Sequence, residues 1–96
     1  MERNEIIPAE ECCTNYNIEF SFIQSLDEHG LISLNKVGDR IFIPHDELPS
    51  LEKYMHLHYD LDINLEGLEA ISHLLERIRT LQHQMTLLQN EMGKQE

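Results

Sequence analysis

Ile18, Phe22, Ile23 and Leu26 follow one another at steps of four, one and three residues, which gathers them on one stripe of a helix. The stretch Ile18–His29 is therefore read as a helix, and Gly30 follows it where a left-handed C′ residue closes one. An earlier helix starts at Pro8, whose missing N–H costs little in a first turn, with Glu10 and Glu11 at the positive end of its dipole. It runs to about Asn15, and Tyr16-Asn17 turns the chain, because Asn tolerates the left-handed conformation of a tight turn. Leu31–Leu34 and Arg40–Ile43 are short β-prone runs around the turn-forming stretch Asn35–Asp39, so they predict a hairpin that Pro44 ends. Asp46 stands where it can cap a third helix bearing Leu48, Leu51, Tyr54, Met55 and Leu57, with Pro49 in its first turn. Asp60–Ile63 breaks that pattern, and Asn64 with Glu66 and Glu69 opens a long final helix.

That last helix carries two apolar stripes. Leu61, Leu65, Leu68 and Leu75 are placed to complete the core. Ile71, Leu74, Ile78, Leu81, Met85, Leu88 and Met92 alternate steps of three and four, the spacing of a coiled-coil seam. Ser72, His73, Glu76, Arg77, Arg79, Gln82, Gln84 and Gln89 are the polar positions around it. A lone helix with such a seam is poorly stable, so it should pair with another chain or fold back on the domain. The stripe outruns what so small a core can cover, which favours a homodimer through the C-terminal helix. The fold class is mainly α: a winged helix-turn-helix over residues 1–63 with a small β-hairpin wing, a long coiled-coil helix over 64–92, and a fraying tail over 93–96.

Charge changes the picture more than composition does. The 96 residues suffice for one small core, but seven cations face 18 carboxylates, a net charge of −11. Residues 1–59 hold four cations against eleven carboxylates (−7) and residues 60–96 three against seven (−4), so the acidity is no detachable tail. A helix that reads a major groove needs Arg or Lys for phosphates and guanine edges. Here the second helix offers Glu19, Asp27 and Glu28 instead. Arg3, Lys36, Arg40, Lys53, Arg77, Arg79 and Lys94 are scattered, and only Lys36 and Arg40 share a hairpin. Nucleic acid is thereby disfavoured, and long-range steering favours a basic protein surface.

The residues carry little chemistry beyond charge. Cys12 and Cys13 are adjacent, so they are read as small buried hydrophobes or free thiols of a reducing cytoplasm. His56 and His58 are two apart, roughly 200° around a helix; His73 and His83 differ by roughly 80° and about 15 Å along the axis. Neither pair shares an ion, and Met55, Met85 and Met92 match apolar stripes. No catalytic grouping, phosphate loop, cofactor or metal site is predicted, and no segment has the make-up of a signal peptide or membrane span.

The order of helix, helix, wing, helix and long helix resembles the MerR superfamily. The residues that carry the likeness are Cys12–Ile18, Leu26–Ile32, Arg40–Asp46 and His56–Leu68. MerR transcription factors carry arginines through the recognition helix and around the wing, and Ile18–His29 has none. Over roughly residues 5–92 the chain is more similar to the CbpM family of chaperone modulators, best at His56–Leu68 and the Leu/Gln-rich end. That resemblance implies an adaptor for the J-domain of a DnaJ/CbpA-class co-chaperone, inhibited by a surface that covers its Lys/Arg-rich helix. The acidic residues available for such a contact are Glu10, Glu11, Glu19, Asp27, Glu28, Asp60, Asp62 and Glu66, with Asp46 and Glu47 as a further cluster. The alternative is a MerR-type transcription regulator that meets phosphates with Lys36, Arg40 and Lys53.

Overall fold

A computed structural model describes residues 5–94. The elements run β1 (Ile6–Pro8), α1 (Ala9–Tyr16), α2 (Phe20–Glu28), β2 (Asn35–Val37), β3 (Arg40–Pro44), a 3₁₀ turn (His45–Glu47), α3 (Leu48–Met55), a π-turn (His56–Asp60) and α4 (Leu65–Lys94). This is the mainly helical winged helix-turn-helix that the periodicity predicts.

Both predicted closures of the first two helices form. Asn17 takes φ 59°, and the Ile18 N–H reaches back to the Cys13 carbonyl at 3.1 Å. Gly30 takes φ 74°, and Leu31 and Gly30 donate to the carbonyls of Leu26 and Asp27 at 2.8 and 3.0 Å. The second pair is a Schellman closure, with Leu31 folded back toward Leu26. It also corrects the hairpin. Leu31–Leu34 is not a strand, because the Leu31 amide is committed to the helix end and Ile32 drops into the core. Pairing starts at Asn35, inside the stretch read as loop, with Asn35 opposite Phe42, Lys36 opposite Ile41 and Val37 opposite Arg40. The turn is just Gly38-Asp39, with Gly38 at φ 63°. A glycine at the first central position is what a two-residue II′ hairpin turn asks for. A strand not foreseen, β1, adds to the other edge of β3, with Ile7 opposite Ile43, so the sheet order is β1-β3-β2. Its Pro8 sits on an edge, where a missing N–H breaks no ladder.

Two further expectations are corrected. Asp46 does not cap α3: the chain enters through the 3₁₀ turn with Glu47 at the cap and no side-chain capping bond. Leu61 is exposed rather than core, since the wide π-turn before it carries an extra residue and rotates the positions after it. α4 runs through Lys94, and residues 95 and 96 of the expected fraying tail lie outside the described residues.

The core joins every helix. Ala9 and Cys12 of α1, Phe22, Ile23 and Leu26 of α2, Ile32, Ile43 of β3, Leu51 and Tyr54 of α3, and Leu68 of α4 are all buried in one cluster. Leu65 packs against it from the side, and Leu75 is half-buried. Asn64 caps α4 as its sequence position predicts, accepting the Gly67 N–H at 2.8 Å. Beyond the core α4 projects alone. The radius of gyration is 17.2 Å and the extents are 58 × 35 × 20 Å, whereas a compact chain of this size has about 13 Å. From Leu74 to Met92 the predicted seam residues are 49 to 68% exposed, while Ile71 is half-buried.

Candidate functional site

α2 occupies the recognition position of the helix-turn-helix, and its outward surface is acidic. Glu19 stands exposed just before the helix, accepting a 3.4 Å bond from Ser21 Oγ. Glu28 is exposed and Asp27 half-buried in its last turn, which holds no basic residue. Carboxylates at a helix C-terminus oppose its dipole, so helix stability does not explain them. The described cations lie elsewhere. Arg40 rests over Phe42 at 5.2 Å on the wing, Lys53 over Tyr54 at 5.0 Å on α3, and Arg79 pairs with Glu76 at 3.1 Å on α4. Arg3 lies outside the described residues.

The other predicted acidic positions are dispersed. Glu10 and Glu11 are exposed in the first turn of α1; Glu10 edges a cleft of about 270 Å³ with Phe20, Arg40 and Ile41. Asp62 is exposed at the bend into α4, where it takes φ 64°, and Glu66 is exposed in the first turn of α4. Asp60 ends the π-turn and accepts from His56 Nδ1 at 2.8 Å. What the structure brings together is a different set. Asp60 shares a groove with Glu52, which the sequence pattern does not single out, and with Tyr16, Ile18 and Met55. Glu19 shares a second groove with Phe22, His58 and Leu65, and Tyr59 lines both.

An aromatic stack fixes Tyr59. The His58 ring lies on Phe22 with centroids 4.7 Å apart, and Tyr59 meets both edge-on at 5.1 and 4.9 Å. The stack is anchored from behind, because His58 Nδ1 donates to the Ile63 carbonyl at 2.8 Å. On the far side of the first groove, the Tyr16 hydroxyl donates to Glu52 Oε2 at 2.7 Å. This bond to the carboxylate, followed by burial and the carboxylate's charge, pushes the Tyr16 phenol up to about 12. In an ultraviolet titration the Tyr16 phenol is therefore expected to ionise near 12, and Tyr16→Phe to remove that step. The raised folded-state value adds stability that is complete below the ordinary phenol value near 10 and is lost as pH climbs to about 12. A spectrum that Tyr16→Phe leaves unchanged near 12 would contradict the Tyr16–Glu52 bond.

The residues with reactive groups are quiet. Burial, then its neighbours Cys13 and Glu11, pushes the Cys12 thiol up; burial and Glu10 do the same to Cys13. Both stay protonated at neutral pH and are poor nucleophiles. Among the described residues no three His, Cys, Asp or Glu side chains stand together as metal ligands, and no helix is long and apolar enough to cross a membrane.

The chain matches the family described as MerR HTH family regulatory protein over residues 7–90. It belongs to that family. The match runs from β1 to near the end of α4, so the projecting helix is part of the family pattern and not an appendage. No curated protein and no solved structure matches the chain. Membership gives the chain the winged helix-turn-helix fold of MerR-type regulators. In this scaffold α2 holds Asp27 and Glu28, with Glu19 just before it, and no Lys or Arg.

Proposed function

We propose that this protein is an adaptor of the CbpM type, which binds the J-domain of a DnaJ/CbpA-class co-chaperone and modulates it. The observation that carries this reading is the cation-free recognition helix, with Glu19, Asp27 and Glu28 where a DNA reader needs Arg or Lys. A J-domain engages its chaperone through a Lys/Arg-rich helix, so an acidic protein that covers this helix competes by charge mimicry. The net charge of −11 steers such an encounter. Supporting it is the likeness to CbpM proteins at His56–Leu68, the segment that forms the π-turn, the bend and the start of α4. The adaptor works as a homodimer joined by α4, in the cytoplasm where J-domain partners reside.

Calorimetry of the full chain against a J-domain co-chaperone of the same cell tests the reading. Micromolar or tighter binding that weakens as salt rises is expected, and no binding at low salt overturns it. A second reading, a DNA-binding regulator, has one observation in its favour: Lys36 and Arg40 lie exposed on adjacent strands of the wing. A gel shift with the protein's own promoter fragment separates the two, because sequence-specific retention at physiological salt reverses the ranking.

A further inference from the structure

The two grooves beside Tyr59 place the contact, an inference that rests on the adaptor reading and narrows it to one surface. The first, about 420 Å³, has Tyr16, Ile18 and Met55 as its apolar walls and Glu52 and Asp60 at its rim. The second, about 250 Å³, lies against Phe22, His58 and Leu65 with Glu19 beside it. Tyr59 separates them, 48% exposed yet held by the stack beneath it. No Lys or Arg lines either groove, and Glu19, Glu52 and Asp60 are all exposed.

A rigid aromatic ridge with apolar flanks and a carboxylate rim fits a particular visitor. A Lys or Arg lays its methylene stem along the ring and carries its charge to a carboxylate, and aromatic anchors of low flexibility dominate such contacts. Residues three or four apart on a helix stand about 5–6 Å apart, enough to straddle one ring. We propose that this surface receives a basic amphipathic helix of the partner protein, with one cationic side chain in each groove. Nucleic acid is a poor occupant, since the rim would face phosphate with three carboxylates. A second copy of the chain is no better, because Arg77 and Arg79 of α4 are two apart and point roughly 200° from one another. The placement removes Glu10, Glu11, Asp27 and Glu28 from the centre of the contact and adds Tyr16, Glu52 and Tyr59.

The test is a pair of titrations of the isotope-labelled full chain followed by amide shifts. One probe is a synthetic helical peptide with Lys and Leu repeating on one face at i, i+4; the other is a purified J-domain. With the peptide, the largest shifts are expected at Tyr16, Ile18, Glu52 and Tyr59. Tyr59→Ala, and separately the pair Glu52→Gln with Asp60→Asn, should each weaken peptide binding at least about tenfold, while Glu10→Gln with Glu11→Gln changes it less than about twofold. Tyr59 is half in solvent, so the rest of its variant's spectrum should persist and report an intact fold. No peptide binding, or shifts centred on Glu10–Glu11 or Asp27–Glu28, overturns the placement. If the peptide binds at Tyr59 but the J-domain does not bind, the docking surface stands and the co-chaperone reading falls. If the J-domain binds and leaves Tyr59 unshifted, the co-chaperone reading stands and the docking surface falls.

Discussion

Replacing Leu81 with glutamate is expected to halve the sedimenting mass of the protein at micromolar concentration. Leu81 lies midway along the α4 stripe and is 50% exposed in the single chain, with Ile78, Met85 and Leu88 bare on either side. A stripe this long on a helix with no core contact after its first turns is a poor fit to solvent. Paired as a coiled coil, the stripe encloses Leu81, and a carboxylate there is buried without a partner. That costs a few kcal/mol, on the order of a hundredfold or more in dimer affinity. Gln82→Glu adds the same charge one residue along, on the polar side, and should leave the mass unchanged. Circular dichroism should show the helix-turn-helix core intact in both variants, since Leu81 lies outside the buried cluster. A wild-type chain that sediments as a monomer, or a Leu81→Glu chain that sediments unchanged, refutes pairing through this seam.

The second large effect belongs to Leu68. It is the one fully buried residue of α4 in the described chain, and it ties that helix to the buried core cluster. Leu68→Ala removes its methyl groups from a packed site and leaves a cavity, a loss of about 2–5 kcal/mol. For a domain of this size the melting temperature should fall by at least about 10 °C, compared at one protein concentration because dimerisation also contributes. Amide exchange should quicken at Ile63–Gly67, where the bend and the helix cap depend on α4 staying docked. Leu65→Ala, at a half-buried site on the same turn, should cost distinctly less. A loss for Leu68→Ala below about 1 kcal/mol would mean that α4 is held by something other than the core.

Much of this architecture is legible in the sequence because it rests on local rules. The i, i+4, i+5, i+8 stripe of α2, Asn17 and Gly30 at the helix ends, Asn64 at the start of α4 and the seam beyond it all declare themselves by spacing and residue type. The departures share a cause: a non-local or unusual backbone bond outbids a local preference. Leu31–Leu34 has strand-forming residues, but the Leu31 amide is taken by the end of α2. β1 is three residues long and exists only because β3 offers it an edge. The π-turn acts more locally. Its Leu61 N–H bonds to the His56 carbonyl, five residues back, so Leu61 falls out of the register that would have carried it to the core.

The candidate site shows the same limit. Acidic residues are visible in any sequence, and Glu19 and Asp60 stand out on that ground. Glu52, Tyr16 and Tyr59 do not, because their meeting depends on the α1–α2 turn closing against the far end of α3. Cys12, His58 and His29, by contrast, find ordinary partners: Cys12 in the core, His58 against Phe22, and His29 beside Glu69 at 3.4 Å.

That last pair sits at the foot of α4, and its position gives the molecule a mechanical character. About 26 residues of α4 extend past Leu68, an arm of about 39 Å. A tilt of about 10° at this pivot therefore carries the far tip through about 7 Å. The His29–Glu69 contact and the Leu68 seat act as the fulcrum of a long boom whose tip lies remote from the grooves beside Tyr59. Whatever grips the boom at Leu81 or Met85 thereby gains leverage over the angle at which the grooves are presented.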